Sequence, residues 1–328
     1  MIEVADDRGL LCGFRLTADA PAERLSWRDL EGLPDAARGP VWLHFNITDA
    51  RARNWLAAAD SVPQQARETL LDSTPHIGIA PAGNGLAGVL GDLHYDDAED
   101  ETGLGLVQFY VDETCLITAR RHPLKALDRM RRDLIEGLRI DSPAHLLIHI
   151  LEHLADAFGA VTARVLEAVD AIEDRLLAGR RAEDGGDLGR SRRMMARLRR
   201  QMTAERHALL GLGQRLPDWW SKPDRSRLRQ AVERLDAIAQ DLELVQERAR
   251  LLQEELADRQ REATRSNLYF LSVLSAIFLP LTLVTGVFGM NVPQLPWEEN
   301  PHGFWWVMLA MAITLAIVLA VLRWRRLF

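Results

Sequence analysis

Residues 278–308 read FLPLTLVTGVFGMNVPQLPWEENPHGFWWVM. A strongly apolar run stops at Gly289-Met290-Asn291, gives way to a loop-like stretch over 289–303, and turns apolar again at Phe304. Outward from this stretch, residues 268–288 hold 21 positions without a charge and residues 304–322 hold 19 more. At about 1.5 Å per residue each is roughly 28–32 Å long as a helix, the thickness of a bilayer's hydrocarbon core. Length and lack of charge point to two membrane-crossing helices and against two buried helices of a water-soluble core. The bulk composition conceals this split. Of the 328 residues 27% are charged, the net charge is −7, and nearly all of that charge lies before residue 268.

Orientation follows from the basic flanks. Arg259, Arg261 and Arg265 precede the first span, and Arg323, Arg325 and Arg326 follow the second. The connecting loop carries Glu298 and Glu299 and no Lys or Arg. Basic residues stay on the cytoplasmic side, so both termini are expected in the cytoplasm and the loop outside, in a cytoplasmic (inner) membrane. The amino end has no apolar stretch, so no signal peptide is expected. Cys12 and Cys115 are the only cysteines, too few for a disulfide framework or a thiolate metal cage.

The chain before the spans changes character near residue 140. Strand-like runs occur at 10–16 and 41–47 (VWLHFNI), and 108–111 with 114–119 read as a hairpin turning at Asp112-Glu113. Residues 50–59 and 63–72 have helical spacing, and Pro123 opens a helix to about 138. The stretch 92–101 holds six acids in ten residues and reads as a solvated turn before a cation-attracting patch. Ser142 is placed to cap a helix that starts at Pro143 and runs to about 177. A glycine-containing break over 179–189 precedes a helix from about 188 to 215, and Pro217 and Pro223 bracket a further break.

The last helix begins near Asp224, and no glycine or proline stops it before the first span. Apolar residues recur at Leu228, Val232, Leu235, Ala239, Leu242, Ala249, Leu252, Leu256 and Ala263, by threes and fours with a gap at Gln246 and a step of seven before Ala263. That is a coiled-coil-like seam. Continued to Phe288 as helix, it makes a rod of roughly 97 Å. One helix pair encloses no water-filled path, so a pore built from this chain requires several copies around an axis.

The C-terminal segment has Gly-Met-Asn at the end of the first of two spans, Pro280 nine residues before Gly289, Gly286 one turn before it, a long charged helix leading in, and a basic RWRR tail. This arrangement resembles the CorA superfamily of divalent-cation transporters. The stretches VWLHFNITDARARNWL (41–56), RRHPLKALDRM (120–130) and AIEDRLLAG (171–179) look most like its zinc-transporting ZntB branch. The resemblance spans most of the chain, though only the last sixty or so residues carry specific motifs.

The resemblance implies a homopentamer whose first spans line one central pore beneath a funnel-shaped cytoplasmic part. A ring of Asn291 amide oxygens then supplies neutral acceptors for the hydration shell of a divalent ion, attracting it without trapping it. Gly289 permits the sharp exit from helix, and Met290 packs on a neighbouring helix. Glu298 and Glu299 either concentrate cations at the mouth or are a solvated loop. Leu279, Thr282 and Gly286 share a helical face and match pore-facing positions. Leu268, Leu271 and Leu279 would form apolar collars that gate by dewetting, with lipid-facing or interhelical packing as the alternative. Arg265 falls where magnesium-type members place an uncharged pore residue. Pro280 removes one backbone hydrogen bond and is expected to kink or loosen the span, with a tolerated bend without gating role as the preferred reading.

Two metal-sensing sites are weighed in the remainder. Glu254 falls near an acidic intersubunit ion site of magnesium-type relatives, although acids on an exposed helix ordinarily face water. His145, His149 and His153 lie at i, i+4 and i+8, one helical face opposite Leu147, Leu151, Leu154 and Phe158, with Glu152 or Asp156 as a further zinc ligand. A solvent-facing or interface histidine stripe needs no metal, and that reading is preferred.

No nucleophile–base pair, phosphate-cradling loop or catalytic carboxylate pair is evident, so no enzyme, no bound cofactor and no nucleic-acid partner is expected. The expected architecture is α+β. It comprises an α/β domain over 1–140, a helical stalk over 141–267, a pore-lining span over 268–288, an external loop over 289–303, a second span over 304–322 and a basic tail over 323–328. The expected partners are the lipid bilayer, four further copies of the chain, and divalent cations, Zn2+ before Mg2+. The rival within the class is a magnesium, cobalt or nickel channel; the rival of another class is a non-conducting membrane-tethered sensor or scaffold.

Overall fold

The computed structural model of the chain describes residues 9–30, 38–94, 103–178, 184–213, 216–290 and 302–324. The chain divides into one unit of Met1–Leu252 and a second of Gln253–Phe328.

The first unit is built on a seven-stranded mixed sheet. Its strands are β1 (Leu10–Arg15), β2 (Glu23–Leu25), β3 (Val41–Asn46), β4 (Gly78–Ala82), β5 (Gly85–Leu93), β6 (Leu104–Val111) and β7 (Cys115–Arg120). Their order is β2-β1-β3-β7-β6-β5-β4, with β3 and β7 parallel and every other pair antiparallel. Side chains alternate across the sheet. Val41, Leu43 and Phe45 of β3 join Cys115, Ile117 and Ala119 of β7 in a core with Leu56, Ala66 and Leu70. Those last three come from α1 (Ala50–Ala58) and α2 (Gln64–Leu71). Asp49 starts α1 by accepting hydrogen bonds from the Arg51 and Ala52 amides at 2.7 and 3.4 Å.

The opposite face carries Trp42, His44, Thr118 and Arg120. The Trp42 indole donates to the Thr118 hydroxyl at 2.9 Å, and His44 Nδ1 lies 2.8 Å from the same oxygen, all three residues being buried. Helices α3 (Lys125–Ile135) and α4 (Pro143–Leu177) pack against this side, and Arg120 reaches Asp128 of α3 at 3.5 Å. Ser142 accepts from the His145 amide at 3.2 Å, and Pro143 occupies the first turn of α4. By length and composition α4 would also cross a membrane, yet 56% of its most apolar window is buried inside the first unit. It is the unit's central core helix.

Helix α5 (Asp184–Gly213) begins inside the glycine-containing segment read as a break and runs against β4 and β5. Helix α6 (Lys222–Phe288) is a single element of 67 residues. Its covered seam is Leu228, Ala231, Leu235, Ile238, Leu242, Val245, Ala249, Leu252 and Leu256, an unbroken alternation of three and four with Ile238 half-buried. Unlike the pattern expected from sequence, Ala231 and Val245 hold seam positions in place of Val232 and the gap at Gln246, and Ala263 is exposed. The second unit ends with α7 (Gly303–Trp324).

Three strands are absent from the sequence reading: β2, β4 and β5. All nine residues of β5 (GLAGVLGDL) are buried, so no polar alternation marks it, and three glycines read as loop. The glycines are spatial requirements. A Cβ at Gly85 would strike the Val111 carbonyl, at Gly88 the Gly78 carbonyl, and at Gly91 the Gln201 amide of α5.

Candidate functional site

The membrane-length part of α6 runs without interruption through Pro280 to Phe288. The Gly289 amide donates to the Thr285 carbonyl at 2.9 Å and the Met290 amide to Val287 at 3.4 Å, which closes the last turn. Asn291, Glu298 and Glu299 lie outside the described residues. None of the most apolar window of α6 and 6% of that of α7 is buried. Leu268, Phe270, Leu271, Leu279 and Leu283 of α6 and Phe304, Trp305 and Ile317 of α7 are each more than half exposed. Apolar surface on that scale is unstable in water and is what a lipid or a subunit interface covers.

Each helix nevertheless has one half-buried stripe. On α6 it is Val273, Ala276, Ile277, Pro280, Leu281, Val284 and Phe288; on α7 it is Val307, Ala310, Met311, Thr314, Leu315, Val318 and Leu322. Both repeat by threes and fours, as two packed helices do. The residues read as pore-facing are all on the other side. Leu268, Leu271, Leu279, Thr282 and Gly286 are exposed, and so are Gly289 and Met290. Ser275 completes the exposed stripe, at spacings of 3, 4, 4, 3 and 4 from Leu268 to Gly286, and lies about half a turn around the helix from Val284. The eight-residue gap between Leu271 and Leu279 was the available signal for it.

The histidine stripe on α4 differs from the zinc arrangement that spacing permits. His145 Nδ1 lies 3.0 Å from Asp141, and its Nε2 lies 2.8 Å from an Arg227 guanidinium nitrogen of α6. Because a guanidinium only donates, Nε2 is the acceptor and the proton sits on Nδ1. His149 Nδ1 is 3.0 Å from Glu152, whereas His153 Nε2 is 2.8 Å from Asp133 on α3. Asp156 pairs with Arg234 at 2.6 Å. The His145 and His149 rings lie 4.9 Å apart, tilted by 35°, but the three imidazoles turn to three different carboxylates. Burial lowers the His149 pKa, with Glu152 opposing that shift and the neighbouring His145, His153 and Arg227 adding to it. Glu254 is exposed on α6. Among the described residues no group of three or more His, Cys, Asp or Glu converges as a metal site.

Two buried carboxyls stand out in the first unit. Glu205 of α5 accepts a hydrogen bond from the Gly91 amide at 2.6 Å, at the edge of β5 just past its last pairing with β4. Asp92 accepts from the Leu93 amide at 2.6 Å and from the Ala126 amide at the start of α3 at 3.0 Å. Burial pushes Asp92 up to about 7 and Glu205 up to about 8, the neighbouring Asp92 adding to the second shift. The cysteines offer no ready ligand, because burial raises the Cys12 thiol to about 12 and the Cys115 thiol well above its ordinary value.

Comparison with known proteins bears on this arrangement. A sequence model of the family described as CorA-like Mg2+ transporter protein matches residues 37–326. The divalent cation transporter CmaX of Pseudomonas aeruginosa is 26% identical over 305 residues, 92% of each chain. The zinc transport protein ZntB of Pectobacterium carotovorum is 28% identical over 275 residues, 84% of each chain. The solved structure of full-length CmaX superposes with a TM-score of 0.85 at 26% identity, covering 99% of both chains.

Proposed function

The chain belongs to the CorA family of transporters, and from that premise we propose that it carries divalent cations across the cytoplasmic membrane through a homopentameric pore, with Zn2+ as its principal substrate. The observation that carries this reading is the form of α6. One helix enters from a charged stalk, crosses an apolar window that its own chain leaves uncovered, and ends at Phe288, directly before Gly-Met-Asn in the sequence. Five such helices around an axis bury the exposed stripe of Leu268, Leu271, Leu279, Thr282 and Gly286 as a pore wall and place five Asn291 side chains at the outer end. Amide oxygens accept hydrogen bonds from the waters of a hydrated dication and add no charge to hold it back. Basic residues flank both spans on one side, which supports termini in the cytoplasm.

Zinc is supported by the 28% identity to ZntB and by Arg265, a cationic side chain at the inner end of the span. Arg265 lies roughly 60° around the helix from Leu268, off the proposed wall. Magnesium is the second reading, favoured by the family's own description. The deciding measurement is flux into liposomes holding the full chain, with Zn2+, Mg2+, Co2+ and Ni2+ compared side by side, with and without a pH gradient. Zn2+ is expected to move fastest and Asn291→Ala to abolish movement. No flux of any ion would leave a membrane-tethered sensor or scaffold in its place.

A further inference from the structure

The two spans hold five Ser or Thr hydroxyls: Ser272, Ser275, Thr282, Thr285 and Thr314. Four return a hydrogen bond to a carbonyl one turn earlier. Ser272 donates to Leu268 at 2.7 Å, Thr282 to Phe278 at 2.8 Å, Thr285 to Leu281 at 3.2 Å and Thr314 to Ala310 at 2.8 Å. This back-bonding is how a hydroxyl is accommodated in hydrocarbon, where a free one is costly. The Ser275 hydroxyl has no hydrogen-bond partner among the described residues. It is also exposed, on the stripe opposite the face of α6 that is covered. A hydroxyl not committed to its own helix, near the middle of a membrane span, needs a polar partner from outside the chain.

We propose that Ser275 forms a mid-membrane site for the hydration shell of a divalent cation, one hydroxyl from each copy, between the collars of Leu271 and Leu279. This rests on the pore reading above and adds a site to it. Ser275 lies about 6 Å along the axis from each leucine. The hydroxyl oxygen accepts from metal-bound water, and its proton remains free for a second water. Contact is therefore with the shell and leaves the ion's own ligands in place. The ring is neutral, so it supports passage without a deep well. It also divides an apolar constriction of about 12 Å into two of about 6 Å each. A shorter apolar stretch dewets less readily, so Ser275 sets how easily the closed path rewets.

The test uses the full chain in liposomes, with Mg2+, Zn2+ and Co2+ influx read by an encapsulated indicator. Loss of one hydrogen-bonding group per copy predicts that Ser275→Ala slows influx about fivefold. Ser275→Thr keeps most of it and Ser275→Leu closes the path, all with unchanged oligomer mass. Independently, Ser275→Cys is expected to react with a water-soluble methanethiosulfonate and to lose flux on reaction. Leu274→Cys, one residue off the stripe, keeps its flux, and the buried native thiols of Cys12 and Cys115 stay shielded. If wild type conducts while Ser275→Ala matches it and Ser275→Cys is not blocked, Ser275 faces lipid or a neighbouring helix and the site is disproved with the pore intact. If wild type carries none of the three ions, the pore reading fails and the site fails with it.

Discussion

The Glu205 carboxyl ties α5 to the edge of the sheet through a single backbone hydrogen bond, and its surroundings make that tie pH-dependent. It is 2% exposed, accepts from the Gly91 amide at 2.6 Å, and is held at about 8 by burial against an ordinary value of 4.5. The sign follows from which state keeps the proton. Between 4.5 and 8 the docked state retains a proton that the undocked state has lost, so docking weakens as pH rises and the loss levels off above 8. Each pH unit in that window is worth about 1.4 kcal/mol. Two units, from pH 6 to 8, give about 3 kcal/mol, roughly a hundredfold in the opening equilibrium of α5. Glu205→Gln keeps an oxygen for the Gly91 amide and has nothing to titrate. Hydrogen exchange of the full chain in nanodiscs, corrected for base catalysis, reads the opening of α5 and β5 directly. Wild-type protection is expected to fall about a hundredfold from pH 6 to 9, with the Gln variant much flatter and better protected at pH 9. Equal slopes in the two proteins would refute the reasoning, because Glu205 would then titrate alike docked and undocked.

Three further outcomes follow from packing. Gly91→Ala drives a Cβ into the Gln201 amide and is expected to expose α5 to limited proteolysis, whereas Gly211→Ala, with open space at its Cβ, leaves the digestion pattern unchanged. Thr118→Val strips the buried Trp42 indole and His44 of their shared oxygen; two stranded polar groups predict a loss of about 2–4 kcal/mol, seen as a lower unfolding temperature by tryptophan fluorescence. Because His149 and His153 turn to different carboxylates, wild type and the double variant His149→Ala, His153→Ala are expected to retain equal zinc after dialysis, and loss of one zinc per chain in the variant would overturn that geometry.

The sequence announced its main helices and hid three of its seven strands, and the reason is physical. A capped amphipathic helix is a local object: Ser142, Pro143 and the apolar recurrence beyond them describe α4 almost to the residue. Strand β5 is defined by what lies beside it. Its glycines are there because a carbonyl of β6, a carbonyl of β4 and a side chain of α5 approach within contact, and none of those neighbours is near in sequence. The seam of α6 shows the same limit at smaller scale. Both Ala231 and Val232, and both Val245 and Gln246, fit some helical register, and only the packed partner selects Ala231 and Val245.

The exposed stripe extends this to function. From sequence, any leucine of the span faces lipid, a neighbouring helix or a pore with similar plausibility. The structure narrows this, because the side half-covered within the chain is Val273, Ala276, Ile277, Pro280, Leu281, Val284 and Phe288, which leaves lipid, a pore or a helix of another copy for the far side. Leu268, Leu271, Ser275, Leu279, Thr282 and Gly286 are left together on the far side, and that stripe is not uniformly greasy. A lipid-facing stripe gains nothing from a serine whose hydroxyl is unspent or from glycine. A wall against water gains from both, since the hydroxyl has solvent to bond and glycine leaves backbone carbonyls within reach of it. The polar members therefore argue against lipid on that side; water and a helix of another copy both suit serine and glycine, and thiol labelling of Ser275→Cys is the measurement on which those two alternatives differ most.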